Sequence, residues 1–231
     1  MLETLSQAEI DALVLSLQVA FWAVLCSLPP GIFLAWVLSR CDFPGKNLLD
    51  GLLHLPMVLP PVVIGYLLLV TLGRNGLLGR PLYEYFGITV AFTWKGAVMA
   101  AAVMAFPFLV RAVRLSLDAV DKRLEMAART LGAGPWRVFF SITLPLSVPG
   151  IVAGMVLAFA RSLGEFGATI TFVSNIPGQT QTLPLALYTM TQVPDAERAA
   201  MRLCVIAICI AMCALIGANC LEKRFVRHVE G

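Results

Sequence analysis

The sequence predicts an all-α integral membrane protein. Of its 231 residues, 59% are hydrophobic and only 13% are charged, and the mean hydropathy of +0.84 exceeds what a soluble domain can hide from water. Several apolar runs also reach the roughly 20 residues that a helix needs to cross a bilayer. Glu3, Glu9 and Asp11 stand near the N-terminus, where a cleaved signal peptide would be basic. We therefore expect the first apolar segment to be retained.

Five apolar runs are long enough to be transmembrane helices. The predicted spans are 12–39, 48–72, 93–115, 143–163 and 199–221. In the first span, Pro29 and Pro30 followed by Gly31 are expected to kink or break the helix near its middle, although we count it as one crossing. Segment 166–190 is apolar but is interrupted by Asn, Pro and Gly residues. We predict that it is re-entrant or external, with a short sixth span as the alternative.

The distribution of basic residues predicts the orientation, because cytoplasmic loops keep an excess of Lys and Arg. With the N-terminus outside, eleven of the 17 basic residues fall on the inner side. This N-out, C-in arrangement of five spans places the loop between spans three and four in the cytoplasm. It also divides the chain into a transmembrane domain, residues 11–221, and a basic cytoplasmic tail, residues 222–231.

The inner loop between spans three and four contains a predicted amphipathic helix, from Asp121 to Leu131. Apolar residues recur in it at i, i+3, i+4 and i+7 and form one stripe, namely Leu124, Ala127, Ala128 and Leu131. A short helix of this kind at the membrane surface is shaped to dock in a groove of another protein. An interfacial helix that lies on lipid is the alternative.

Local signals define the other faces and the end of this helix. Glu125 and Arg129 lie at i and i+4, away from the apolar stripe. Gly132 and Gly134 are expected to stop the helix, and Pro135 to begin the next turn.

This loop resembles the cytoplasmic signature of bacterial ABC importer permeases, which is E-A-A, three residues, Gly, nine residues and I-x-L-P. The matching positions are Ala127, Ala128, Gly132, Ile142, Leu144 and Pro145. Met126 departs from the pattern, since it occupies the place of the family's Glu while Glu125 stands one residue earlier. The resemblance implies a coupling helix that docks on a separate ATPase subunit. The residues that it assigns to ATPase coupling are Leu124, Glu125, Ala127, Ala128, Arg129, Gly132 and Pro145.

A closer resemblance extends over nearly the whole chain, which is similar to the molybdate ABC transporter permeases. The stretches "LPPVVIGY" and "GEFGATI" carry it best. The resemblance implies a homodimer in the bacterial inner membrane, two ATPase subunits and a periplasmic molybdate-binding protein. The implied cargo is a tetrahedral oxyanion, with molybdate first and tungstate or sulfate and thiosulfate as alternatives. Sulfate permeases usually carry Tyr where this chain has Phe166.

No residue pattern predicts chemistry in this chain. The stretch "DFPGKN" has Arg40 where a phosphate-binding loop needs its first Gly, and Asn47 where it needs Ser or Thr. The six cysteines show no metal-binding spacing. We therefore expect no catalytic residue, no metal site, no cofactor on this chain and no nucleic acid partner, with ATP and Mg²⁺ bound by the partner ATPase.

A second candidate site, for a gate or pathway lining, follows the fourth span. Irregular backbone at membrane depth survives only against protein or along an aqueous cavity, and ionisable groups there are costly. The candidates combine an i, i+4 ion pair, glycines and hydroxyl groups: Arg161, Gly164, Glu165, Gly167, Thr169, Thr171 and Ser174. Such a surface would pass an anion without holding it tightly. We expect selectivity to lie in the separate binding protein.

Other intramembrane features have structural interpretations. Asp50 and His54 are expected to form a paired contact, and Arg111 and Arg114 to snorkel to lipid phosphates. Gly150 and Gly154 are expected to let helices within one subunit approach closely. Two other classes of protein remain open at this point. A secondary transporter would need charge relays and usually internal repeats, whereas a membrane anchor or assembly factor would not need the cytoplasmic helix.

Overall fold

A computed structural model of the chain describes the backbone of residues 6–229 and the side chains of residues 6–214, 216 and 217. Over this range the regular structure is helical, as predicted. A π-helical turn, Phe139–Thr143, joins α7 to α8. The helices are α1 (Gln7–Arg40), α2 (Lys46–Val58), α3 (Pro61–Leu72), α4 (Gly79–Phe86), α5 (Trp94–Ala119), α6 (Lys122–Thr130), α7 (Pro135–Val138), α8 (Leu144–Leu163), α9 (Gly167–Val173), α10 (Leu183–Thr191) and α11 (Glu197–Val229).

Helix α1 is continuous over 34 residues. Pro29 and Pro30 lie inside it and do not end it, so the helix does not break there. Each proline removes one backbone hydrogen bond, but α1 packs against α5. Gly31 permits a close approach to that helix, since a Cβ atom at this position would lie 2.9 Å from Leu109 Cδ2. Packing against α5 therefore supports α1 across the prolines.

The start of α1 is fixed by a buried carboxylate. Glu9 accepts a hydrogen bond from the backbone N–H of Ser6 (2.7 Å), and the hydroxyl of Ser6 accepts one from the N–H of Glu9, which makes a capping box. The carboxylate is fully buried and is bridged by Arg202 of α11 at 2.7 Å. This pair joins the first and last helices at the end of the bundle that we predict to be external.

The second predicted span, 48–72, is not one straight helix. It consists of α2 and α3, which meet at a bend of 113°. Leu59 and Pro60 connect them in extended conformations, with ψ of 145° and 134°. Both residues precede a proline, and the ring of a proline disfavours the helical conformation in the residue before it. Two consecutive prolines, Pro60 and Pro61, therefore separate the helices.

Helix α5 is the centre of the bundle and packs against α1 and α8. Small side chains make this possible, because Ala97, Ala100 and Ala101 are fully buried. On α8, Gly154 lies where a Cβ atom would be 3.1 Å from Ala112 Cβ of α5. Gly150, one turn earlier, also faces α5. The prediction that these glycines serve packing within one subunit is confirmed.

Among the described residues, three helical segments are long and apolar enough to cross a membrane: Gln7–Arg40, Trp94–Ala119 and Pro135–Leu163. The bent pair α2 and α3 makes a fourth if it is one span. The predicted span 199–221 lies within α11, which continues to Val229, so most of the predicted basic tail extends this helix. Segment 166–190 contains α9 and α10, of seven and nine residues. The count of five spans and the orientation stay predictions.

Candidate coupling and transport site

The predicted cytoplasmic helix is present as α6. Asp121 caps it, because its carboxylate accepts a hydrogen bond from the N–H of Arg123 at 2.9 Å. Gly132 has a φ of +85°, a conformation that L side chains rarely adopt, and its N–H bonds the carbonyl of Arg129 at 3.0 Å. Pro135 is the first residue of α7. The predicted beginning and end of this helix, and the beginning of the next one at Pro135, are therefore confirmed.

The apolar stripe of α6 is left uncovered by this chain. Leu124 is 48% exposed and Leu131 89% exposed. Ala127 is exposed, and Ala128 is half-buried. Met126, in the place of the family's Glu, is also exposed. An apolar surface of this kind next to charged residues is typical of a protein contact.

Glu125 is different, because its side chain points back into the protein. It is buried, and its Oε1 lies 2.9 Å from Nη2 of Arg40, the last residue of α1. The same oxygen accepts a hydrogen bond from the hydroxyl of Thr143 at 2.9 Å. Its partner is thus not Arg129, four residues on, which is exposed. Sequence reasoning missed Arg40 and Thr143 at this site, although the position of Arg40 at the end of the first span was a usable signal.

The π-helical turn brings Thr143 to this contact. The N–H of Leu144 bonds the carbonyl of Phe139, five residues earlier. Pro145 follows directly and has no N–H to give to the carbonyl of Ser141, so it favours the wider turn. Thr143 is 2% exposed as a result of this placement. The I-x-L-P part of the signature therefore covers the end of the π turn and the start of α8.

A cavity of about 340 Å³ lies beside α6 on the side of α7 and the π turn. It combines apolar side chains with one guanidinium and one hydroxyl group. Its lining residues are Ala128, Leu131, Ala133, Arg137, Val138, Ser141 and Ile142. The apolar stripe and this cavity are continuous, since Ala128 and Leu131 belong to both.

The predicted ion pair after α8 is present. Arg161 Nη1 lies 2.7 Å from Glu165 Oε2, and the Glu165 side chain is 1% exposed. Glu165 Oε1 also accepts a hydrogen bond from the N–H of Ala168 at 2.8 Å, at the beginning of α9. Gly164 lies exposed at the end of α8. This carboxylate therefore connects the end of α8 to the start of α9.

The predicted hydroxyl groups are not brought together on one open surface of the described chain. Thr169 is 1% exposed and lies in the core. Thr171 donates to the carbonyl of Gly167 at 2.8 Å, within its own helix. Ser174 is exposed, at a φ of +65°, where α9 ends. Their role in a pathway stays a prediction.

Helices α9 and α3 are in close contact, and glycines make this possible. A Cβ atom at Gly65 would lie 2.6 Å from the carbonyl oxygen of Ala168. A Cβ atom at Gly167 would lie 2.8 Å from Pro61 Cβ. The candidate gate segment is thus packed directly on the second half of the bent span.

Charged residues in α2 and just before it are paired. His54 Nδ1 lies 2.8 Å from the carbonyl of Asp50, which confirms their predicted contact. Arg114 Nη1 lies 3.0 Å from Asp50 Oδ1, so Arg114 is paired within the chain, and contact of Arg111 and Arg114 with lipid phosphates stays a prediction. Lys46 donates a hydrogen bond to Asp42 (3.0 Å), and this bond lowers the pKa of that exposed carboxyl. Lys46 is therefore a paired surface charge.

The fold and helix α6 define a class of protein, the membrane subunit of a binding-protein-dependent importer. The chain belongs to the family described as binding-protein-dependent transport system inner membrane component, whose family model matches residues 27–229. Family membership excludes the two alternative classes considered above, a secondary transporter and a membrane anchor or assembly factor. It also confirms the predicted location in the inner membrane.

Within this family the chain is similar to molybdenum permeases. It is 66% identical to the molybdenum transport system permease protein ModB of Escherichia coli over 95% of this chain and 96% of that protein. It is 61% identical to ModB of Haemophilus influenzae, over 96% of each chain. The sulfate transport system permease protein CysT of Escherichia coli is 39% identical over 87% of this chain and 72% of that protein. The predicted resemblance to the molybdate permeases is confirmed.

Solved structures of importers share the fold. A bacterial ABC transporter for the import of alginate has a TM-score of 0.75 and 19% identity, over 95% of this chain and 80% of that chain. The methionine ABC transporter MetNI, in an inward-facing conformation, has a TM-score of 0.68 and 15% identity, over 95% and 94% of the two chains. At these identities the similarity establishes the fold alone.

Proposed function

We propose that this chain is the permease subunit of an ATP-driven importer that moves molybdate across the bacterial inner membrane. The observation that carries the proposal is the 66% identity to a molybdenum transport permease over nearly the full length of both chains. The 39% identity to a sulfate permease makes sulfate the second candidate. Tungstate, which has the same shape and charge as molybdate, is a third.

The energy for transport comes from a separate ATPase subunit in this proposal. Helix α6 presents its uncovered apolar stripe and the adjoining cavity to that subunit. Burial of Leu124 and Leu131 would favour docking by about 1.5–3 kcal/mol for each side chain that becomes fully buried. Closure of two ATPase subunits, with ATP and Mg²⁺ bound there, would then move the α6 helices of two permease chains together.

Two copies of this chain would enclose the translocation path, and a periplasmic binding protein would deliver molybdate to it. The path needs no tight anion site, because the ion must leave on the inner side. In the chain as described, Arg161 is paired with Glu165, so its charge is already partly compensated. This supports a division of labour in which the binding protein selects the ion and the permease passes it.

Uptake measurements test this function. Cells that lack the chain and cells that express it, with its ATPase and binding protein in both, would be given labelled molybdate or labelled sulfate at nanomolar concentration. Loss of molybdate uptake alone in the cells without the chain is the expected result. If sulfate uptake is lost instead, the importer class stands and the substrate is sulfate. If neither changes, the chain is not the permease for either ion.

A further inference from the structure

The cytoplasmic ends of three helices meet at Arg40. Its Nε and Nη2 donate to Glu125 Oε1 of α6, at 3.1 and 2.9 Å. Nη2 also donates to the carbonyl oxygen of Leu117 near the end of α5, at 2.8 Å. Because Arg40 is the last residue of α1, a single guanidinium joins α1, α5 and α6.

This ion pair is shielded from water. The side chains of Arg40 and Glu125 are only 11% and 10% exposed. Thr143 of the π turn donates its hydroxyl to the same carboxylate oxygen and adds a connection to the start of α8. Hydrogen bonds between two ionised groups are stronger than neutral ones, and the loss of one partner leaves the other charge uncompensated.

Glu125 is also the sole buried residue of α6, whose nine residues are all described. The remaining side chains of this helix are exposed, apart from the half-buried Ala128. The side chain of Glu125 therefore attaches α6 to the neighbouring helices, in addition to the short connection from α5, whereas the apolar stripe remains free. A force applied to that free face reaches α1 and α5 through this carboxylate.

Further polar contacts lead from this point to the bent span. Ser39, next to Arg40, donates its hydroxyl to Asp118 of α5. Arg114 lies 3.8 Å from Asp118 and 3.0 Å from Asp50 of α2. Helix α2 is the first half of the bent span, and the second half packs on α9. The polar contacts and the bent span thus connect the docking helix with the candidate gate segment.

We propose that Arg40 and Glu125 are positioning residues that transmit the movement of α6 to the transmembrane helices. The proposal rests on the function proposed above and assigns its mechanical link to one ion pair. In this proposal neither residue contacts the cargo or ATP. Loss of the pair leaves docking of the ATPase possible, because the apolar stripe lies on the other face of α6, but it separates ATP hydrolysis from movement of the spans.

The test uses the complete transporter, which is the permease with its ATPase and its binding protein, in proteoliposomes. The measured quantity is molybdate transported per ATP hydrolysed. We expect Glu125→Gln, and also the milder Arg40→Lys, to lower this ratio by at least about fivefold while the ATPase still co-purifies. A purely structural role would lower the yield of the complex and leave the ratio of the surviving transporters unchanged.

A matched control is Glu84→Gln. Glu84 forms an ion pair with Arg80 at 2.7 Å, but both side chains are more than half exposed and lie on α4, away from α6. This variant should keep the normal ratio. An unchanged ratio in both Glu125→Gln and Arg40→Lys would overturn the proposal.

The exchange of charges within the pair gives a second, independent measurement. Arg40→Glu and Glu125→Arg should each lower the ratio, and the double variant should recover much of it, because opposite charges again face each other. If the losses caused by the two single changes simply add up in the double variant, the proposal is also overturned. These results can be distinguished from a failure of the proposed function. If the proposed function is wrong, the wild-type transporter itself hydrolyses ATP without importing molybdate.

Discussion

Gly150 of α8 lies directly against Ser116 of α5. A Cβ atom at position 150 would overlap the side chain of Ser116. The hydroxyl of Ser116 donates to the carbonyl of Ser147, one turn earlier on α8, at 3.2 Å. The two helices are therefore fixed at this level both by close packing and by a hydrogen bond.

Substitution of Gly150 by Val should loosen this contact. Insertion of side-chain atoms into a packed interface costs about 1–3 kcal/mol, so the thermal stability of the detergent-solubilised protein should fall. Gly51→Ala is the control, since nothing lies within 4 Å of a Cβ atom there. Equal stability of the two variants would contradict the packing seen between α5 and α8.

Gly132→Val should abolish molybdate uptake and leave the protein in the membrane. The left-handed backbone at Gly132 costs an L residue roughly 1–2 kcal/mol, so the turn that ends α6 should shift. The control is Gly178→Val, which also has a positive φ and open space around it, but lies in the loop between α9 and α10. Uptake and the amount of protein in membranes are measured together. If both variants lose uptake equally, backbone strain and not the position beside α6 is the cause.

The bend between α2 and α3 should disappear when its prolines are replaced. In the double variant Pro60→Ala, Pro61→Ala, the residue before each position regains access to the helical conformation. Spin labels placed at exposed Leu48 and Val70 should then lie farther apart than in the parent protein, as measured by electron paramagnetic resonance. An unchanged distance would show that packing of α3 on α9 alone is sufficient to hold the bend.

Two substitutions at Glu165 separate its two contacts. Glu165→Gln keeps an oxygen that can accept from the N–H of Ala168 but removes the charge beside Arg161. Glu165→Ala removes both. We expect a loss of about 1–3 kcal/mol in stability for the Ala variant and a smaller loss for Gln, read from thermal unfolding. If Gln lowers uptake as strongly as Ala at normal protein levels, the charge itself serves transport.

Local patterns predicted the boundaries of α6 well. Asp121, Gly132 and Pro135 act within a few residues, so the sequence carries their signal directly. The partner of Glu125 could not be read in this way, because Arg40 is separated from it by 85 positions. The i, i+4 spacing pointed to Arg129 as the partner of Glu125. In the structure Glu125 pairs instead with Arg40, on a helix that is distant in the sequence.

Among the candidate pathway residues, too, only the local contact could be predicted from the sequence. The ion pair of Arg161 and Glu165 is local and was predicted. The burial of Thr169 depends on how α9 packs on α3. The position of α3 depends in turn on the bend at Pro60. The bend of 113° lies where two consecutive residues each precede a proline.

The bent span also bears on how the protein is synthesised. Helices α2 and α3 have 13 and 12 residues, about 20 and 18 Å of helix, so neither alone crosses about 30 Å of hydrocarbon. A crossing of the membrane by this pair therefore requires that the insertion machinery recognise them together, as one segment. The contact of Gly65 with Ala168 that supports the bend forms only after about a hundred further residues have been made. We expect Pro60 and Pro61 to set the bend as soon as this segment is made, and α3 to become fixed in place late, when α9 arrives.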